Sequence, residues 1–380
     1  MKMAEVIPRW NMPPVDFIEV DSEKVESELI TDYEKASGRT LAAGDPVRLF
    51  LLTIAAEIIQ LRQGINFAAQ QNLLTYAKGD YLDALGQSIA VTRLPASKAI
   101  TTIQFTLSQA LGNAYTIPKG FQVSAGSVTF ETDNELIIPV GEKTGNVTAS
   151  CIESGTVGNG FVAGQIATIV SPQPYLKSAA NTVTSVGGAN IEDDAAYAER
   201  IRLRPDSFSV AGPEKSYIYY AESYSASIID VAITSPDPGE VYVYPLLSGG
   251  QLPNESFLEG LQAHLSDETI RPLTDHVVAK APTAVNYKIQ VDYWVNQSDS
   301  VRLASIQAAV EEAVESYRLW QQSKIGRDIS QDELIARVID AGASRIDRST
   351  LSPTAFQALS ADQVAQCTEV KVNFKGYKDE

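Results

Sequence analysis

Apolar residues return every three or four positions through the first quarter of the chain, the spacing of one face of a helix. After Asp21 the positions Val25, Leu29, Tyr33 and Ala36 line such a face, and Gly38 supplies the left-handed residue that ends a helix at little cost. A longer run comes after "GDP". Asp45 can cap it, Pro46 suits its first turn, and Val47, Leu51, Ile54, Ile58, Leu61, Ile65 and Ala68 step by fours and threes. That is a heptad seam. Phe50, Leu52 and Ile59 are apolar too, more greasy surface than one small domain covers, so the pattern predicts a seam shared with another chain. Gly64 within it costs ~1 kcal/mol relative to alanine, which makes packing rather than propensity the source of its stability.

The period changes at "TRLPASKA". From about Ile100 to Val183 short alternating runs ("TTIQFTL", "FQVSAG", "VTFETD", "LIIPV", "NVTASCIE", "QIATIV") sit between turn residues and predict an all-β module flanked by Pro95 and Pro172/Pro174. Within it, "GTVGNGFVAG" spaces Gly158, Gly160 and Gly164 almost as a dinucleotide fingerprint does. The next residues, "QIATIV", are strand-like, so no helix N-terminus is available for a pyrophosphate, and the glycines read as turn or bulge positions with positive φ.

Residues 187–205, "GGANIEDDAAYAERIRLRP", are crowded with charge. Asn190 reads as a cap, Glu192, Asp193 and Asp194 as an acidic first turn, and Arg200, Arg202 and Arg204 as cations at the carbonyl end, with Tyr197 and Ile201 facing a core and Pro205 ending the helix. Three successive carboxylates fan out around an axis instead of converging on a metal. The remainder mixes both periods: strands in "SIIDVAITSPDPGEVYVYPLL" and around Pro282, helices in "NESFLEGLQAHLSDE" and from about Ser300 to Trp320 (Ile306, Val310, Ala313 and Tyr317 inward), a capping box at Ser330 and Glu333, and a closing strand "TEVKVNF". The expected fold is therefore α+β and multi-domain: a helical region with a heptad seam at 1–94, a β-rich domain at 95–185, and α+β units at 186–285 and 286–380.

Composition narrows the chemistry. A formal charge of −17 over 380 residues opposes general nucleic-acid binding and anionic lipid, and no apolar run approaches the eighteen residues a membrane span needs. The proline-bearing start lacks a signal peptide's apolar stretch, so synthesis and folding in the cytosol are expected. Cys151 and Cys367 are far apart and neither is part of a CxxC; His264 and His276 have no nucleophile motif beside them. No cofactor, metal or catalytic residue is expected.

Four ordered stretches resemble the baseplate J-like proteins: "GDYLDALGQSIAVTRLPASKA" (79–99), the charged 187–205, "SVAGPEKSYIYYAESYSASIIDVAITSPDPGEVYVYPL" (209–246) and "ETIRPLTDHVVAKAPTAV" (268–285). The resemblance spans roughly residues 25–374, and past the helix near Ser300 it rests on general pattern alone. It implies a structural wedge component of a contractile phage tail or related injection machine, located in the tail baseplate and assembled in the host cytoplasm. Two copies would join one largely helical partner, and wedges would close into a ring around the central hub or spike, below the sheath. The heptad seam would serve the helical bundle, and the C-terminal α+β part would close the ring. Glu192, Asp194, Tyr197 and Arg200 would be a fold signature that caps a helix and helps dock a neighbour. Neither nucleic acid nor membrane insertion is implied. The runner-up is a receptor-binding adhesin of the tail, which the absence of internal repeats disfavours.

Overall fold

The computed structural model describes residues 8–208, 214–267, 270 and 274–378. Residues 209–213, 268–269 and 271–273, which carry parts of the third and fourth resembling stretches, lie outside them. The chain forms two compact units: the residues up to Arg93 together with Asp193–Arg202, and Leu94–Glu192 together with Leu203 onward.

The first unit is helical. α1 (Ser22–Ser37) begins where the Asp21 carboxylate accepts the Lys24 N–H at 3.1 Å and ends at left-handed Gly38. α2 (Pro46–Gln70) begins at Asp45, whose carboxylate accepts the Val47 N–H at 2.8 Å. Both helices match the sequence pattern. α3 (Asp80–Ser88) and α4 (Asp194–Leu203) share a small core of Ala77, Leu82, Val91, Tyr197, Ala198 and Ile201. Grouping α4 with residues 186–285 is thus corrected: its apolar face completes the core of the N-terminal helices, a contact across more than a hundred residues that no local pattern displays.

The second unit starts with β1 (Lys98–Leu107), β2 (Tyr115–Ile117), β3 (Gln122–Ala125), β4 (Val128–Thr132), β5 (Leu136–Ile138), β6 (Thr144–Ser154), β7 (Thr168–Ile169) and β8 (Leu176–Asn181). Six of these form an antiparallel sheet in the order β7-β3-β4-β6-β1-β8, and β2 pairs with β5. The edge strands β7 and β8 approach each other, so the sheet rolls into a nearly closed barrel around Ile103, Phe105, Phe121, Phe130 and Ile166. Gly158 departs from the expected role. Its φ is not positive; instead a Cβ there would stand 2.8 Å from the Cβ of Cys151 and 2.9 Å from that of Ala99, so close packing excludes a side chain. Gly160 and Gly164 do take positive φ, as the turn reading expects.

Two α+β layers complete the unit. In the first, α5 (Glu214–Glu222) and α6 (Glu255–Leu265) pack on β9 (Ile228–Thr234), β10 (Glu240–Leu247) and β11 (His276–Ala279), with β10 and β11 parallel and joined through α6. In the second, α7 (Leu303–Gln321) and α8 (Gln331–Asp340) cover a sheet of β13 (Arg345–Ile346), β12 (Thr283–Val295) and β14 (Gln363–Tyr377). The two strands around Pro282 therefore enter different sheets. The capping box at Ser330 is also corrected: its side chain caps nothing, its carbonyl accepts the Tyr317 hydroxyl at 3.0 Å, and Glu333 pairs with Arg337 at 2.8 Å. Along α7 it is Val314, not Ala313, that turns inward with Ile306, Val310 and Tyr317.

Candidate functional site

The seam of α2 divides lengthwise into a covered half and an open half. α1 packs on this helix; Leu51 and Ala55 are buried, and Val47, Ile54 and Ile58 are half-buried. Further along, Leu61 is 66% and Ile65 51% exposed. With Glu57, Gln60, Gly64 and Ala68 these two line a shallow groove, and Phe67 meets Tyr81 edge-on at its side with both rings exposed. Leu61, Ile65 and Ala68 stand at i, i+4 and i+7, the spacing with which one helix receives another.

An extended strap ahead of α1 covers the adjacent face of the same helix. Asn66, buried in α2, accepts the N–H groups of Phe17 and Ile18 on its Oδ1 at 2.9 and 2.8 Å and donates Nδ2 to the Ile18 carbonyl at 2.8 Å. Gln70 donates to the Val15 carbonyl, and the Tyr76 hydroxyl accepts the Val15 N–H, both at 2.8 Å. Sequence reasoning missed this strap. The available signal was Arg62, Asn66 and Gln70, polar residues at helical spacing within an otherwise apolar run.

The charged helix is a tertiary clamp. Asp193, not Asn190, is its cap, accepting the N–H groups of Ala195 and Ala196 at 2.8 and 2.9 Å. Asp194 accepts the Gly79 N–H at 3.1 Å and pairs with Arg93 at 2.8 Å, and Arg93 also holds Asp83 at 2.7 Å. Burial works against ionised Asp194, but the Gly79 N–H and Arg93 outweigh it and hold the carboxyl below its usual range. The Tyr197 hydroxyl donates to the Val91 carbonyl at 2.7 Å, and Arg200 donates to the Thr92 carbonyl at 2.6 Å. The guanidinium groups of Arg93 and Arg200 lie 4.7 and 5.5 Å from the Tyr197 ring centroid. Glu192 sits in the other unit, where it is buried: its N–H donates to the Leu94 carbonyl at 3.1 Å and its carboxylate accepts the Leu94 N–H at 2.9 Å. The expected surface helix is therefore buried along Tyr197, Ala198, Arg200 and Ile201.

Both histidines have structural partners. His264 contacts the Tyr220 carbonyl at 3.1 Å, and exposed His276 contacts Glu240 at 3.2 Å. Cys151 is buried in the barrel, where burial pushes its thiol up. Among the described residues no three His, Cys, Asp or Glu converge as a metal site, and no helix is long and apolar enough to cross a membrane.

These features define a multi-domain α+β protein with an open apolar row on α2 and a partly buried charged clamp around Tyr197. Its domains match, in order, those of one family: the baseplate J-like N-terminal domain at residues 44–99, barrel domain at 102–188, central domain at 209–281 and C-terminal domain at 287–373. The chain belongs to the baseplate J-like family. It is 28% identical over 188 residues to baseplate protein J of Escherichia phage P2, a stretch covering 48% of this chain and 60% of that protein. A chain in the cryo-EM structure of the anti-feeding prophage baseplate aligns over 90% of both chains at 14% identity with a TM-score of 0.34.

Proposed function

We propose that this chain is the wedge component of its baseplate and that the open half of the α2 seam receives a helix of a second wedge protein. Exposure of Leu61 and Ile65, in register on a helix whose other half is packed, carries the reading. An apolar row of this kind costs free energy in water and is kept where a neighbour covers it. Two copies of the chain join the helical partner, wedges close into a ring around the central hub, and the C-terminal α+β layer provides contacts between copies. The ring holds the tail until a change in wedge packing releases the sheath, a switch that needs differential contacts rather than a catalytic group. The clamp around Tyr197 serves the helical unit from within, tying α4 to α3 and to the segment that follows it.

The test is co-purification of tagged full-length chain with the products of its neighbouring tail genes. Wild type retains a helical partner, whereas Leu61→Asp and Ile65→Asp lose it while keeping the wild-type circular dichroism. Retention by both variants would contradict the seam assignment.

A further inference from the structure

The C-terminal sheet ends in a long strand whose outer edge is open. β14 runs for 15 residues and, among the described residues, pairs only with β12. Its first residues are covered: Val364 and Ala365 are buried, the Gly326 N–H reaches the Gln363 carbonyl at 2.7 Å, and Gln366 reaches the Gly250 carbonyl at 2.7 Å. From Thr368 to Tyr377 no position is buried. Unpaired backbone N–H and C=O groups in such a row are a template for one more strand.

The two faces of this stretch differ. Val372 and Phe374 pack toward the core under α7 and α8, with the Phe374 ring 5.8 Å from that of Tyr293, while Val370, next along that face, is 43% exposed. The alternate positions carry Glu369, Lys371, Asn373 and Lys375. Glu369 is held by Lys288 at 2.8 Å and Lys371 at 2.5 Å; Asn373 and Lys375 reach Asp292 at 2.7 and 3.2 Å.

That order of side chains is complementary to itself. In an antiparallel pair of two β14 strands related by a two-fold axis through Val372, Glu369 stands opposite Lys375 of the second copy, Lys371 opposite Asn373, and Val370 opposite Phe374. Moving the axis to Lys371 sets that lysine against its own copy, and moving it to Asn373 sets Lys371 against Lys375. An axis at Val370 would run the pairing into the covered start of the strand. A slip that changes the pairing by one residue turns the core-facing positions of one copy to the wrong side. One register therefore satisfies charge, face and access together, and the two lysines oppose its neighbours.

We infer that β14 pairs antiparallel with β14 of a second copy, centred on Val372, joining two three-stranded sheets into one six-stranded sheet with helices on a common face. The inference rests on the proposed reading of the chain as a ring component present in several copies, and it specifies one surface by which those copies meet.

Sedimentation equilibrium of the purified full chain over a range of concentrations tests it. A reversible monomer–dimer equilibrium is expected. Glu369→Lys and Lys375→Glu each weaken it about tenfold, since two symmetric pairs turn from attractive to repulsive, and the double variant recovers wild-type association. Val370→Lys, a change at an exposed position, weakens it as well and covers the case in which a charge reversal disturbs the fold. A monomer at every concentration, or a dimer indifferent to all of these changes, overturns the strand pairing. Should such a chain still co-purify with its tail neighbours, the wedge reading stands without it; loss of co-purification by the wild-type chain counts against the wedge reading itself.

Discussion

Tyr197 occupies the space that a side chain at residue 86 would need. A methyl group built on Gly86 would overlap the Tyr197 hydroxyl and stand 2.8 Å from the Val91 carbonyl oxygen, the acceptor of that hydroxyl's hydrogen bond. α3 and α4 thus approach closely enough for the ring to lie under α3 only because position 86 is bare. Gly86→Ala should gain up to ~1 kcal/mol of helix propensity and lose more to overpacking, typically about 1–3 kcal/mol. Thermal melting should show net destabilisation, and an unchanged or raised midpoint would remove the argument.

Tyr197→Phe separates the ring from its hydroxyl. The ring keeps its packing and its contacts with the guanidinium groups of Arg93 and Arg200, while the Val91 carbonyl loses a buried donor. A loss of about 1–3 kcal/mol is expected in denaturant unfolding, with a native-like spectrum retained.

Acid should loosen the same clamp. The carboxyl of Asp194 is held below its ordinary value near 3.9, so the stability it contributes is fully present above that value and is lost as pH falls through the lower, folded value. Melting profiles of wild type should therefore fall more steeply on acidification below about pH 4 than those of Asp194→Asn. Parallel profiles would show that the Gly79 and Arg93 contacts do not favour the ionised form.

Asn66→Ala should free the strap without unfolding the unit. Three hydrogen bonds to Phe17 and Ile18 disappear, but those groups are close enough to solvent to be rehydrated. Faster limited proteolysis between residues 12 and 20, with the remainder of the chain protected as in wild type, is the expected pattern.

The open seam predicts separation of folding from assembly. Leu61→Asp changes a side chain that is mostly in water, so its effect on melting should stay within about 0.5 kcal/mol, whereas Leu51→Asp places a charge at a buried position of α2 and should unfold the helical unit. Ile58 is half-buried, which makes it a poorer probe of assembly alone.

The local grammar of the chain was legible from residues 21 to 70, because caps and periodicity act within a few positions: Asp21, Gly38, Asp45 and Pro46 do what their chemistry predicts. The division into helical, β-rich and mixed segments rests on the same local signals. Long-range placement did not. Asp193, Asp194 and Arg200 have the composition of a surface helix, and only the tertiary fold brings Asp194 to Gly79 and Arg93 and Arg200 to Thr92. Gly158 likewise carried a turn signal, whereas its actual constraint is the Cys151 side chain against it. In the seam, periodicity identified the apolar row but not which half of it is covered.

The central claim is that another protein's helix completes the α2 seam within a wedge. Its most direct test is the mass of the species formed when this chain is co-expressed with its neighbouring tail proteins, measured by light scattering after size exclusion. A stable complex of two copies of this chain with one helical partner is the predicted result. A lone chain eluting apart from every neighbour, or a homo-trimer that binds cells, would contradict it.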